Sequence, residues 1–306
     1  MKAVATPFRG LFTFLVTPTS EDGERLDEAR LRSLIDEQIA AGVDGLTVFG
    51  STGANGSFTD EERRRVIAVA VEHTAGRVPL VAGTGSMTTS ETIALSRYAA
   101  SKGVAAVLVV PITYWPLKEH EVAQHYGAIA RAVDVPLGIY NNPTTTGTDI
   151  KPAQIAELAK LDTVAFVKES SGIVERIVQI HRATDHAISV VNGKDAAMLE
   201  ASIVGADGWF SGGCNLLAHD CVRLLALVRT GRFEAARELF MRLYPVFAMQ
   251  SQKGTIRVVQ TGLDILGRSV GELRRPLRFL EAEDRAALER ALAELRPAEA
   301  PLAKSA

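Results

Sequence analysis

Eight short apolar runs, separated by amphipathic stretches, recur along the first two thirds of the chain at 11–16, 45–49, 79–82, 105–110, 136–140, 164–167, 187–191 and 208–210. Apolar runs alternating with helix-length segments make a parallel sheet with helical crossovers. The intervening stretches carry their own start signals. Thr59 with Glu62 and Thr88 with Glu91 each fit a capping box, and Val66, Ile67, Ala70 and Val71 then form one apolar stripe. Similar stripes run through Leu31, Leu34, Ile35 and Ile39, and through Val122, Tyr126 and Ile129. About eight strand–helix units in roughly 230 residues match a closed (β/α)8 barrel, whereas a doubly wound sheet more often stops at five or six. The expected fold is therefore α/β: a catalytic (β/α)8 TIM barrel over 1–230 and a C-terminal helical extension over 231–295. The last helix of that extension is marked by Ala287, Leu288, Ala291, Leu292 and Leu295. From 296 to 306, Pro297 and Pro301 among Ala, Glu and Lys predict a frayed tail.

Composition removes several classes of function. With 47% hydrophobic and 23% charged residues in 306, usage is that of an ordinary globular chain. The net charge of −2, without a local basic patch, offers no field for nucleic acid or an anionic membrane. No stretch reaches the ~18 apolar residues of a membrane span. The apolar run near the N-terminus follows Arg9 without a clean small-residue cleavage site, so it reads as a first strand, not a leader. Two cysteines, Cys214 and Cys221, point to a reducing compartment, with the cytoplasm as default. The six histidines show no metal-ligand spacing, and no metal is expected. His219, Asp220 and Cys221 are neighbours on one helix and point in different directions, so they form no relay.

In a barrel, chemistry sits at the C-terminal ends of the strands. Three ends stand out: Gly50-Ser51-Thr52-Gly53, Tyr140-Asn141-Asn142-Pro143 and Lys168-Glu169-Ser170. A lysine that ends an apolar strand has its ammonium in a dry site, where the charged form is disfavoured and the neutral amine becomes a nucleophile. At an unperturbed pKa of ~10.4 about one amine in 2,500 is neutral at pH 7, and lowering it to ~7 takes roughly 4–5 kcal/mol of differential destabilisation. The competing possibility is a stem packed on the rim with its charge in water or paired with Glu169. Lys194 follows the seventh run, but Asn192-Gly193 intervene and are expected to turn it outward. Tyr140 can carry protons beside Lys168 or be a buried strand tyrosine with a satisfied hydroxyl. The Gly50 to Gly53 turn offers hydroxyls and N–H groups for a carboxylate, although any βα turn can carry such residues. Gly83-Thr84-Gly85 lacks the third glycine of a dinucleotide fingerprint and reads as a tight strand end.

At these motifs, and over nearly its whole length, the chain resembles the dihydrodipicolinate synthase / N-acetylneuraminate lyase family. The stretch GLFTFLVTPTSEDG, from Gly10 to Gly23, is similar to that family's first strand and loop. The resemblance implies a class I lyase in which Lys168 forms a Schiff base with pyruvate or another 2-oxo acid. Tyr140 would carry the proton, Ser51 would relay it, and Thr52 with the N–H groups around Gly53 would hold the carboxylate. Gly193 and Phe210 fall where the family lines its pocket. It also implies a tyrosine supplied across a subunit interface, here Tyr114, hence a homodimer as the minimum unit and a dimer of dimers overall. No cofactor is implied beyond the covalent imine. Two positions depart from the pattern. Thr145 stands where lysine-biosynthetic members carry an arginine for the aldehyde substrate's carboxylate, and Ala54 stands where a glutamate commonly follows the turn. The lost charge, about 1.5–3 kcal/mol of hydrogen bonding, favours aldol cleavage or dehydration of sugar-acid-derived 2-oxo acids. Condensation of pyruvate with aspartate semialdehyde is the alternative, and a 2-oxo acid binding protein without turnover is a further one.

Overall fold

The computed structural model describes residues 8–295, so the expected tail at 296–306 lies outside the described residues. All eight runs are strands: β1 Gly10–Phe14, β2 Gly45–Val48, β3 Leu80–Gly83, β4 Ala106–Val109, β5 Leu137–Asn141, β6 Val164–Glu169, β7 Ser189–Asn192 and β8 Gly208–Ser211. They pair in parallel, in chain order, and β1 closes on β8 to complete the barrel. The apolar runs and the ladders do not end together. Leu15 and Val16 remain buried after β1 stops, and β6 continues through Lys168 and Glu169 because they pair with Tyr140 and Asn141 of β5.

Crossovers are made by α1 Glu28–Ala40, α2 Asp60–Thr74, α3 Thr89–Lys102, α4 Glu119–Ala130, α5 Pro143–Thr146, α6 Pro152–Leu158, α7 Glu175–Thr184 and α8 Met198–Ile203, and α9 Cys214–Arg229 follows β8. Both capping boxes form. The Glu62 N–H donates to Thr59 Oγ1 at 3.3 Å while the Glu62 carboxylate accepts from the Thr59 N–H at 2.9 Å, and Thr88 with Glu91 repeat the exchange at 3.2 Å each way. Each box satisfies two backbone donors that a helix start leaves without an intrahelical partner.

Two apolar layers result. Inside the barrel, Phe12, Phe14, Phe166, Phe210, Leu108 and Val191 pack together with Tyr140. Gly138 makes this filling possible, since a Cβ there would lie 2.3 Å from the Phe166 ring. Outside, Leu34, Ile35, Val66, Ile67, Leu95 and Ile129 are fully buried between helices and strands, at roughly 1.5–3 kcal/mol for each large side chain.

After α9 come α10 Phe233–Lys253, α11 Thr255–Ile265 and α12 Ala282–Leu295. Leu243 and Phe247 of α10 and Leu288 and Leu292 of α12 belong to the same apolar cluster as the barrel's outer layer. Between α10 and α11 the chain turns at Gly254, whose φ of +92° a side-chain-bearing residue would adopt only under strain. That turn brings the start of α11 back over the barrel mouth. No described helix is long and apolar enough to cross a membrane.

Candidate active site

The mouth is built around a constrained turn at the end of β2. Phe49 adopts a φ of +54°, uncommon for an aromatic residue and a source of backbone strain. Its neighbours crowd it closely. A Cβ on Gly50 would lie 1.7 Å from the Phe14 ring, and one on Gly83 would lie 1.3 Å from the Phe49 carbonyl oxygen. The chain passes between β1 and β3 only because both positions are glycine, and Gly83 is the tight strand end expected of it. Ser51 and Thr52 thereby come to line a cavity of about 260 Å³ at the C-terminal ends of the strands.

Lys168 lies at the base of that cavity and is only 3% exposed. Its Nζ sits 3.5 Å from the centre of the Phe14 ring and 4.1 Å from that of Tyr140. It is not paired with Glu169. That carboxylate accepts from Asn141 Nδ2 at 2.9 Å and from the Ser171 N–H at 2.6 Å, and has Arg176 at 4.0 Å. Arg176 in turn makes a bidentate pair with Asp149 at 2.6 and 2.8 Å. Successive strand residues alternate faces, so Glu169 enters a buried network outside the barrel while Lys168 points inward. Burial pushes the Lys168 ammonium below its ordinary pKa of 10.5, against the opposing pull of Tyr140 and Asp195.

Tyr140 is the register partner of Lys168 on the adjacent strand. Burial alone would raise its phenol, but the nearby Lys168 charge and the hydrogen bond with Ser51 outweigh it, and the net shift is downward. The Tyr140 hydroxyl lies 3.4 Å from Ser51 Oγ, and the Asn142 amide donates to both, at 3.1 Å and 3.2 Å. An amine made less basic and a phenol made more acidic thus face each other in a dry site. Such a pair can hand a proton between them.

Gly193 completes the base. A Cβ there would lie 2.6 Å from Lys168 Cε and 1.9 Å from Ser170 Oγ, so glycine is what leaves the lysine its position. Ser170 Oγ is buried and lines the cavity, close enough to the Tyr140 phenol to help lower its pKa.

Of the residues singled out in the sequence, Ser51, Thr52, Tyr140, Thr145, Lys168 and Gly193 line this one cavity. Gly53 lies behind it, its carbonyl accepting from Thr17 Oγ1 at 2.8 Å. Phe210 is in the barrel filling, stacked on Phe12 at 4.5 Å. Tyr114 is 80% exposed and packs edge-on against Trp115, which is 74% exposed. Lys194 corrects an expectation: it lines the cavity instead of turning away. Asn192 holds it there, accepting from the Lys194 N–H at 3.1 Å and donating to its carbonyl at 2.8 Å. Sequence reasoning overlooked Phe14, Asn142 and Ser170, although each stood inside a quoted motif. It also missed Asp195, Gln250 and Arg257, which line the same space; the last two come from α10 and α11, where no strand-end pattern marks them.

A closed eight-stranded barrel with a desolvated lysine and a tyrosine at its C-terminal mouth is the architecture of an aldolase-type lyase. The chain belongs to the dihydrodipicolinate synthetase family, whose profile matches residues 7–295. It is similar to the 4-hydroxy-tetrahydrodipicolinate synthase of Thermomicrobium roseum, at 36% identity over 93% of this chain and 94% of the relative. The protein of the same name from Methylibium petroleiphilum is 35% identical over 94% and 97%. Among solved structures, dihydrodipicolinate synthase from Agrobacterium tumefaciens superposes with a TM-score of 0.90 at 32% identity, covering 96% of this chain and 100% of that one. The chloride-inhibited dihydrodipicolinate synthase of Acinetobacter baumannii, solved with pyruvate, gives 0.88 at 27% identity over 94% and 98%. The protein is a lyase of this family. The names of its relatives favour the synthase alternative over cleavage or dehydration of sugar-acid-derived substrates.

Proposed function

We propose that the protein condenses pyruvate with a carboxylate-bearing aldehyde, the 4-hydroxy-tetrahydrodipicolinate synthase reaction, through an imine on Lys168. The burial of Lys168 against Phe14 and Tyr140, away from any carboxylate pair, supports the imine, and the names of the relatives support the acceptor. Lys168 Nζ attacks C2 of pyruvate and water leaves, giving an iminium that draws electrons from C3. Loss of a C3 proton gives the enamine, whose C3 attacks the aldehyde carbon while the new alkoxide takes up a proton. Attack on C2 by water or by the acceptor's own amine returns the free lysine. Tyr140 moves these protons, Ser51 and Asn142 hold its hydroxyl, and Thr52 with the turn's N–H groups receives the pyruvate carboxylate. The imine is the electron sink, so the scheme requires neither metal nor nucleotide.

Thr145 still favours a second possibility, a sugar-acid-derived 2-oxo acid with no carboxylate for α5 to hold. Two measurements separate these. Borohydride with pyruvate is expected to add a reduced adduct at Lys168, and Lys168→Ala to remove it; an unmodified mass in the native protein would refute the imine. Turnover of pyruvate with aspartate semialdehyde, set against a panel of sugar-derived 2-oxo acids, then identifies the acceptor. Exposed Tyr114 and Trp115 fit burial against a second copy of the chain, and we infer a homo-oligomer in which Tyr114 completes the partner's proton path. The two free, buried thiols support a cytoplasmic setting.

A further inference from the structure

The C-terminal helices furnish a wall of the cavity, and one buried amide donor on it has no partner among the described residues. Gln250, near the end of α10, is 4% exposed, and its Nε2 has no hydrogen-bond partner among the described residues. Its side chain nevertheless lines the cavity, together with Ser251 and with Gly254, Thr255, Ile256 and Arg257. The start of α11 therefore opens into the same space. Its N-cap is Gly254, which offers no side chain to bond the first N–H groups, and those groups carry the positive end of the helix dipole. Gly212 lets this wall meet the catalytic turn, since a Cβ there would lie 2.9 Å from Thr52 Oγ1 and 2.4 Å from Thr255 Cγ2.

Charge around the cavity is unbalanced in the same sense. Its lining cations are Lys168, Lys194 and Arg257, against one carboxylate, Asp195. Asp195 is already engaged, accepting from Trp209 Nε1 at 2.8 Å and from the Gly213 N–H at 2.7 Å. Among the described residues no carboxylate pairs with Arg257 or Lys194. A buried amide donor without an acceptor is costly unless a ligand supplies one. Here it shares the cavity lining with a guanidinium and a helix start that has no side-chain cap.

We propose that Gln250, the first turn of α11 and Arg257 form a second carboxylate subsite, assisted by Lys194, which holds the distal carboxylate of the acceptor. The anion contact absent from α5 at Thr145 is supplied instead by the C-terminal helices. The ligand class is a 2-oxo acid adduct bearing a second carboxylate. This rests on the condensation assigned above, so the test separates the two. The concentration of 2-oxoadipate that half-saturates borohydride inactivation is compared with that of 2-oxohexanoate, which has the same chain length but ends in a methyl group. The native protein is expected to favour 2-oxoadipate by about tenfold or more. Arg257→Gln and Gln250→Ala should each reduce that ratio, and Arg257→Lys should restore part of it. Equal affinity for the two acids, or an undiminished ratio in both variants, would overturn the subsite. Calorimetric binding of the same pair to Lys168→Ala is independent of the imine, and there the preference should persist. If borohydride traps nothing in the native protein while this preference holds and disappears on adding Arg257→Gln, the imine fails and the subsite stands.

Discussion

At the scale of single residues, the site depends on keeping one amine dry and in place. Gly193→Ala sets a methyl group against Lys168 Cε and Ser170 Oγ. A displacement of the nucleophile by an ångström is expected to lower the rate of imine formation by about 100-fold, with circular dichroism unchanged. Tyr140→Phe removes the proposed proton carrier while retaining the ring beside Nζ. It should lower turnover by about 10²–10⁴-fold, yet still permit slow borohydride trapping. The pH dependence follows from the depressed lysine. Imine formation requires the neutral amine, so its rate should rise with pH and level off below the ordinary 10.5. The unfolded chain binds the Lys168 proton more readily than the folded one, so this group makes stability rise with pH through the interval below 10.5. Lys168→Met, which removes the buried charge, should unfold at a temperature no lower than the native protein at neutral pH; a clear drop in Tm would contradict the dry-site assignment.

Between elements, a single arginine ties the segment after α11 to the catalytic end of the barrel. Arg274 makes a bidentate pair with Glu62 at 2.5 and 2.7 Å and also donates to the carbonyls of Gly23, Glu24 and Ser57. Its hydrogen bonds, joined by those from the Thr59 N–H and hydroxyl, draw the Glu62 pKa from 4.5 down to about 2 against the cost of burial. Because this shift is downward, the stabilisation is complete above the unfolded value and is lost as pH falls through the folded one. A shift of that size is worth about 3 kcal/mol at most, less after solvent screening of this partly exposed pair, and roughly 60% of it should be gone by about pH 3. Denaturant unfolding of Arg274→Met against the native protein should show a difference near neutrality that is less than half as large at about pH 3 and disappears as pH falls past about 2. This clamp also shows what a sequence can and cannot disclose. Glu62 was legible as half of a capping box because both partners lie within one turn of helix. Its second partner stands 212 residues away, and no local period marks such a pair. The strands were legible for the opposite reason, since each apolar run reports its own burial. Lys168 and Tyr140 could be read because each ends such a run, whereas Gln250 and Arg257 sit on helices whose apolar stripes say nothing about what their polar faces meet.

For the whole molecule, the question is whether one chain holds a complete site. Ser51, Tyr140 and Lys168 come from one barrel, but Tyr114 stands exposed on the loop after β4, with Trp115 beside it. Two large aromatics this exposed are poorly placed in water and well placed at an interface. Light scattering should therefore give a multiple of the 32.8 kDa chain mass. Complementation tests the role of Tyr114 more sharply. Lys168→Ala lacks the proposed nucleophile and Tyr114→Phe the proposed interface hydroxyl, so each variant alone should be impaired in condensation. In a mixed dimer, the chain with an intact Lys168 would face a partner with an intact Tyr114, making one fully native site. A random mixture of twofold dimers should then regain about a quarter of native activity. If Tyr114 acts within its own chain, or not at all, the mixture would show only the sum of its components. A protein that ran as a monomer while turning over normally would remove the need for a partner altogether, and would leave the aromatic pair without a covering surface.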